Sequence, residues 1–163
     1  GLMKGPLPDP REREHYKDIL YESLLPVLEA AEKYGNDLTI EAINRFQAAY
    51  LWSADETLEF VNRFESRRAT IHLDTFHINI EDKDMERAIR ICKNRLGYFH
   101  VSDSDRAHPG HGHFDFKKCI EVLYDIGYDC NGKGVLGHEY NADPDPVTAA
   151  INGYNHIKQF LMK

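Results

Sequence analysis

The chain has 163 residues, 42% of them hydrophobic, with 27 acidic residues against 20 Lys and Arg and a formal net charge of −7. At that length a chain hides roughly two-thirds of its unfolded surface, enough for one globular domain without disulfides or structural metals, so an ordered single domain is expected. An acidic total with no Lys/Arg cluster argues against a protein that must displace many phosphate counterions, so nucleic acid is not an expected partner.

From residue 12 onward helix-like and strand-like segments alternate, with no Pro/Gly/Ser-rich linker between them. The first predicted helix runs from Glu12 to Tyr34, with Leu20, Leu24, Val27, Leu28 and Ala31 on one face, Gly35 as its stop and Pro26 as a kink. Residues 37–44 read as a short buried strand. Ser53-Ala-Asp-Glu56 is a capping-box signal for a helix that turns Leu58, Val61 and Phe64 inward. A second strand, Ala69 to Asp74, follows. Met85, Ala88, Ile89, Cys92 and Leu96 recur at helical spacing, Gly97 is taken as the end of that helix, and Tyr98 to Val101 is the third strand. Asp115 caps a helix whose inner face is Phe116, Cys119, Ile120 and Leu123. Turns at Gly127 and Gly132 lead to the strand Gly134 to Glu139. The last helix, Pro146 to Leu161, is expected to present Val147, Ile151, Tyr154 and Phe160. One helix followed by four βα units implies a parallel sheet covered by helices, an α/β fold.

Cys92, Cys119 and Cys130 form no CxxC pair and sit mainly among apolar neighbours, which fits a reducing compartment. No run approaches the roughly 18 apolar residues of a membrane span, and Gly1 to Pro6 carries no signal-peptide core, so a cytoplasmic protein without a membrane partner is expected.

Each of the four strands finishes in a residue able to bind a metal: Glu41, Asp74, His100 and Glu139. In parallel α/β folds the carboxyl ends of the strands face one cleft, so ligands 33, 26 and 39 residues apart can converge. A strand-end acid taken singly is more often a cap or a salt-bridge partner. Three carboxylates and an imidazole make an oxygen-rich site suited to Mn²⁺, with Mg²⁺ or Co²⁺ as alternatives.

Three stretches carry a resemblance: Ile40-Glu-Ala-Ile-Asn-Arg-Phe46, Leu73-Asp-Thr-Phe-His-Ile-Asn-Ile80, and Phe99-His-Val-Ser-Asp-Ser-Asp-Arg106 running into Pro109-Gly-His-Gly112. With them the chain resembles the sugar-phosphate isomerase/epimerase superfamily of xylose isomerase-like barrels, and within it the D-tagatose/D-psicose (allulose) 3-epimerases. Gly137-His-Glu-Tyr140 is a looser match to that family's final strand. The resemblance implies a (β/α)8 TIM barrel of which residues 1–163 are the C-terminal half, strands five to eight, with four parallel strands and their flanking helices, as in a truncated chain. It also implies that Glu41, Asp74, His100 and Glu139 are the metal ligands, that Glu41 and Glu139 exchange the C3 proton of a ketose through a cis-enediolate, and that His77 and Arg106 contact substrate hydroxyls. Where the family carries a second Glu six residues after the first ligand, this chain has Gln47, which hydrogen-bonds a hydroxyl but takes no proton.

The chemistry is consistent with that assignment. Removing a proton next to a ketone needs a Lewis acid on the oxygens and a base at the carbon. Three carboxylates, a neutral imidazole and a dication sum to about −1, which disfavours a phosphorylated sugar, so a free ketose is the expected partner. Aldose–ketose isomerisation, hydroxypyruvate isomerisation and inosose dehydration are rivals within the family. A metal-dependent apurinic endonuclease needs a basic groove, which the net charge opposes. A metal-binding half barrel without activity is the third reading. Unpaired edges at the first and last strands suggest a homo-oligomer. His108, His111 and His113 are read as a solvated loop, His72 as a satisfied core histidine, His138 as facing the helices, Asp103 and Asp105 as a salt-bridge cluster on Arg106, and Asp143-Pro-Asp-Pro146 as a turn and helix start.

Overall fold

The structure, a computed structural model, describes residues 9–128, 130 and 134–161; the readings at Gly1 to Pro6 and Gly132 lie outside them. Helix α1 (Arg13–Tyr34) follows a single 3-10 turn, runs unbroken through Pro26 and is capped by Gly35. Then come β1 (Leu38–Glu41), α2 (Ala54–Val61), β2 (Ala69–Asp74), α3 (Thr75–Glu81), α4 (Met85–Ile91), β3 (Leu96–Val101), α5 (Phe116–Asp125), β4 (Leu136–His138) and α6 (Pro146–Lys158). The strands form one parallel sheet in the order β1-β2-β3-β4. No helix among the described residues is long and apolar enough to cross a membrane.

Alternation along the strands sorts side chains to two faces. Ile40, Ile71, Leu73, Phe99 and Val101 pack outward against the helices and are buried. The opposite face, which would be the interior of a barrel, is polar: Thr39 and Thr70 hydrogen-bond at 3.0 Å, and His72, Tyr98 and His100 stack edge-on above them. The helices carry the expected caps. Ser53 Oγ accepts from Glu56 N, Asp115 from Lys118 N, and Asp145 from Val147 N and Thr148 N. The Glu56 carboxylate accepts the Trp52 amide rather than that of Ser53. Such caps satisfy amides that have no partner within the helix.

Several sequence expectations need correction, among them the last strand, which spans Leu136–His138 and not Gly134 to Glu139. β1 ends at Glu41, because Ile43 N already donates to Leu51 O and the chain has left the sheet. Helix α3, directly after β2, was not anticipated; its seven residues are too few for a period to register, and Asp74 caps it by accepting Phe76 N at 2.8 Å. Gly97 lies inside β3 and ends no helix, and Leu96 is the first residue of that strand. The core face of α6 is Ala149, Gly153 and Ile157, while Val147, Ile151 and Tyr154 are exposed. The small residues let α6 approach closely: a Cβ on Gly153 would stand 2.6 Å from Tyr140 Oη. Val27 of α1 is likewise exposed, and Leu20, Leu24 and Leu28 alone make its buried stripe.

Gly97 is in a strand because β2 leaves no room for a side chain there. A Cβ at this position would stand 2.4 Å from Thr70 Oγ1 and 2.7 Å from Thr70 Cβ. Gly97→Ala is therefore expected to cost about 1–3 kcal/mol in urea unfolding, by overpacking. An unchanged midpoint would show that β2 and β3 are not in this register.

Candidate metal centre

β1, β2 and β3 point the same way, and the chain passes the top of β4 into Glu139. Parallel registers put Glu41 opposite His72 and Asp74 opposite His100, and Glu139 N reaches Val101 O at 3.4 Å. The structure thus brings Glu41, Asp74, His100 and Glu139 together, with one donor atom of each within 4.8 Å of all the others. Asp74 is fully buried at the floor of the cluster and the Glu139 side chain is half exposed at its mouth. Gly137 is part of the device, since a Cβ there would meet His100 Cδ2 and Tyr98 Oη at 2.6 Å.

A guanidinium is laid across this cluster. Arg106 Nη1 donates to Asp74 Oδ2 at 2.6 Å and Arg106 Nη2 pairs closely with Glu139 Oε2. His100 Nδ1 lies 3.1 Å from the same Glu139 oxygen and 3.7 Å from Asp74 Oδ2. Burial opposes ionisation of Asp74, but His100 and Arg106 outweigh it and hold the carboxyl well below the ordinary carboxylate range. Burial also works against the imidazolium of His100, yet Asp74 and Glu139 prevail and raise its pKa. His72, by contrast, is pushed down to about 3, mainly by burial and then by the His100 charge, so its ring is neutral. The donor set fits a divalent ion: three carboxylates and an imidazole that gather positive charge, with a buried floor and an open mouth.

The remaining predicted residues fall around this centre. His77 is buried, with Nδ1 2.8 Å from Asn44 Nδ2 and Nε2 3.7 Å from Glu41 Oε1. An amide nitrogen only donates, so Nδ1 accepts and the ring proton sits on Nε2, facing Glu41. Asn44 also accepts the Phe46 amide at 3.0 Å. Sequence reasoning passed over Asn44; its position inside the first matched stretch was the available signal. Gln47 is exposed in the turn after β1, beside Phe46 and Ala48, outside the four-residue cluster.

The loop after β3 departs from its sequence reading. Asp103 and Asp105 do not pair with Arg106. Asp105 binds His111 Nδ1 at 2.6 Å, and the buried Asp103 carboxylate accepts the amides of Ser104, Gly110 and Phe114 at 2.7, 2.8 and 3.1 Å. Arg106 N donates to Asp103 O at 3.0 Å, and Arg106 sits at φ 65, a left-handed conformation costly for a side chain with a Cβ. Asp103 is therefore what folds the loop that delivers the guanidinium. His111 and His113 are exposed, whereas His108 is buried and donates from Nδ1 to Pro109 O. His138 contacts Tyr140, whose hydroxyl donates to Ala149 O of α6, on the helix side as expected.

A family model described as xylose isomerase-like TIM barrel matches residues 2–160. An L-ribulose 3-epimerase of Mesorhizobium japonicum is 38% identical over 106 residues, 65% of this chain and 36% of that protein. A D-psicose 3-epimerase of Ruminiclostridium cellulolyticum is 36% identical over 115 residues, 71% of this chain and 39% of that protein. The chain therefore spans less than half the length of these curated relatives. Among solved structures, a D-allulose 3-epimerase from Methylomonas sp. superposes with a TM-score of 0.86 at 26% identity, covering 96% of this chain and 59% of that one.

The Asp103 hydrogen bonds make a pH-dependent contribution to stability. Burial raises its pKa, but the amides of Phe114, Ser104, Gly112 and Gly110 outweigh burial and leave it below the ordinary carboxylate value. A depressed folded-state pKa stabilises fully above the unfolded value, and the contribution fades as pH falls through the folded one. Asp103→Asn is expected to lose about 1–3 kcal/mol near neutral pH and to show a shallower acid-side decline than the parent. Urea midpoints measured across that range check it, and parallel curves would remove Asp103 as the loop's organiser.

Proposed function

Because the chain belongs to the xylose isomerase-like TIM barrel family, we propose that it is the metal-binding C-terminal half, strands five to eight, of a cytoplasmic sugar isomerase or epimerase, a ketose 3-epimerase acting on a free ketose. The observation that carries this reading is the convergence of Glu41, Asp74, His100 and Glu139 within 4.8 Å. The similarity to ketose 3-epimerases at 36–38% identity supports the reaction class.

Glu41, Asp74, His100 and Glu139 would hold a divalent ion, Mn²⁺ by the oxygen-rich donor set and Mg²⁺ or Co²⁺ as alternatives. Bound there, the ion supplies a Lewis acid for the ketone and the neighbouring hydroxyl. The chain's own groups do the rest. Glu41 enters from β1 and Glu139 from beyond β4, on opposite sides of the cluster, so one carboxylate takes the C3 proton from one face and the other returns a proton to the opposite face of the cis-enediolate. His77, held by Asn44 with its Nε2 proton toward Glu41, donates to a substrate hydroxyl. With an ion holding Asp74 and Glu139, Arg106 would be free to donate to a substrate hydroxyl. Gln47 reaches hydroxyls far from the reacting carbon, so its replacement of Glu bears on which ketose is chosen.

β1 and β4 are the edges of the sheet, and pairing with a second copy of the chain is the oligomeric part of the proposal. Light scattering on the eluting protein should give about twice its 18.8 kDa mass; a monomer at all concentrations would remove that part.

Glu139→Gln keeps an oxygen donor and removes a base. Metal binding should persist while exchange of the C3 proton of D-psicose or L-ribulose in D₂O, followed by NMR, falls by about 10²–10⁴-fold. Undiminished exchange would assign the proton to another group.

A further inference from the structure

The four-residue cluster leaves one polar side chain of the interior face unexplained. His72 lies two residues before Asp74 on the same face of β2, directly across from Glu41 of β1. It is nine-tenths buried. Its Nε2 has no hydrogen-bond partner among the described residues, and its Nδ1 is 3.8 Å from Glu41 Oε2, beyond hydrogen-bond distance. The ring stands perpendicular to that of His100 with centroids 4.1 Å apart. A core histidine ordinarily satisfies both nitrogens, so this ring is not the satisfied core residue its sequence position suggested.

Donor atoms of Glu41, His72 and His100 lie within 4.8 Å of one another. We propose that His72 is a further metal ligand, which with Glu41 and His100 forms a second, nitrogen-richer seat for a divalent ion, one step deeper than the four-residue set. The proposal rests on the metal reading of Glu41 and His100 given above. Two imidazoles and one carboxylate favour ions of borderline softness, Co²⁺ or Zn²⁺, over Mn²⁺ and Mg²⁺, which prefer oxygen. Electrostatics point the same way. Arg106 bridges Asp74 and Glu139, neither of which belongs to the deeper seat, so an ion there leaves both arginine bridges intact. The two seats share Glu41 and His100, and one ion fills one or the other. The metal supplied thereby decides whether Arg106 is bound to the carboxylates or released toward substrate.

The test uses the full chain stripped of metal. One equivalent of Cu²⁺ should give an electron paramagnetic resonance spectrum with hyperfine splitting from two imidazole nitrogens, reduced to one in His72→Leu. By calorimetry, His72→Leu should weaken Co²⁺ binding by at least about tenfold and change Mn²⁺ binding by less than about threefold. A single nitrogen in the parent spectrum overturns the proposal without any variant, and so does an equal loss of Co²⁺ and Mn²⁺ affinity. Asp74→Asn separates the two readings, since Asp74 belongs to the four-residue set alone: it should weaken Mn²⁺ and leave the two-nitrogen spectrum in place. A parent chain that binds no Mn²⁺ yet keeps that spectrum would remove the four-residue reading and leave the deeper seat standing.

Discussion

Three carboxylates held within a few ångströms of one another repel, and a cation placed between them relieves that repulsion. Two like charges 4 Å apart near a protein surface repel by about 4 kcal/mol, and of Glu41, Asp74 and Glu139 the middle one is wholly buried, where the repulsion is less screened. Arg106 meets this requirement in the structure by bridging Asp74 and Glu139. A divalent ion held by all four donors would meet it more fully. On the proposed reading the guanidinium and a metal ion are alternative solutions of one electrostatic problem.

The proposed reading needs Arg106 to be poised rather than fixed. Its backbone is in the left-handed region, held there by the turn in which Arg106 N donates to Asp103 O. Asp103 in turn spends its buried carboxylate on loop amides and not on the arginine. Were Asp103 and Asp105 the arginine's partners, the guanidinium would be kept at the loop and the carboxylates at the strand ends would face one another alone. The diversion of Asp103 to Ser104, Gly110 and Phe114, and of Asp105 to His111, frees Arg106 for the cluster.

The interior face supports the cluster from below. Gly97 and Gly137 remove side chains where Thr70, Tyr98 and His100 need the space, and the rings of His72, Tyr98 and His100 fill it. Asn44 fixes the tautomer of His77 so that a proton, not a lone pair, faces Glu41. Each of these residues acts on the four clustered side chains through packing or through one hydrogen bond, which is how a site made of four separate strand ends keeps a single geometry.

Much of the fold was legible in the chain because its signals are local. The caps at Ser53 and Asp115, the helix start at Asp143 to Pro146, the apolar period of α5 and the strand Ala69 to Asp74 depend on residues a few positions apart, and the structure has them where they were read. The strand ends were legible too, since a titratable residue closing each parallel strand is visible without coordinates, and the matched stretches around Glu41, Asp74 and His100 named the family. What the tertiary structure decided were matters of contact between distant segments. Gly97 looked like a helix stop until Thr70, 27 residues earlier in the chain, was seen to occupy the space beside it. The apolar face of α6 read as its buried face, yet close approach to Tyr140 selects Ala149 and Gly153 instead. Arg106 chose Asp74 and Glu139 over its neighbours Asp103 and Asp105, and His72 came to rest against Glu41 and His100. Sequence periodicity reports the preference of a segment for an environment, whereas the partner that supplies the environment is fixed only when parallel strands settle into register.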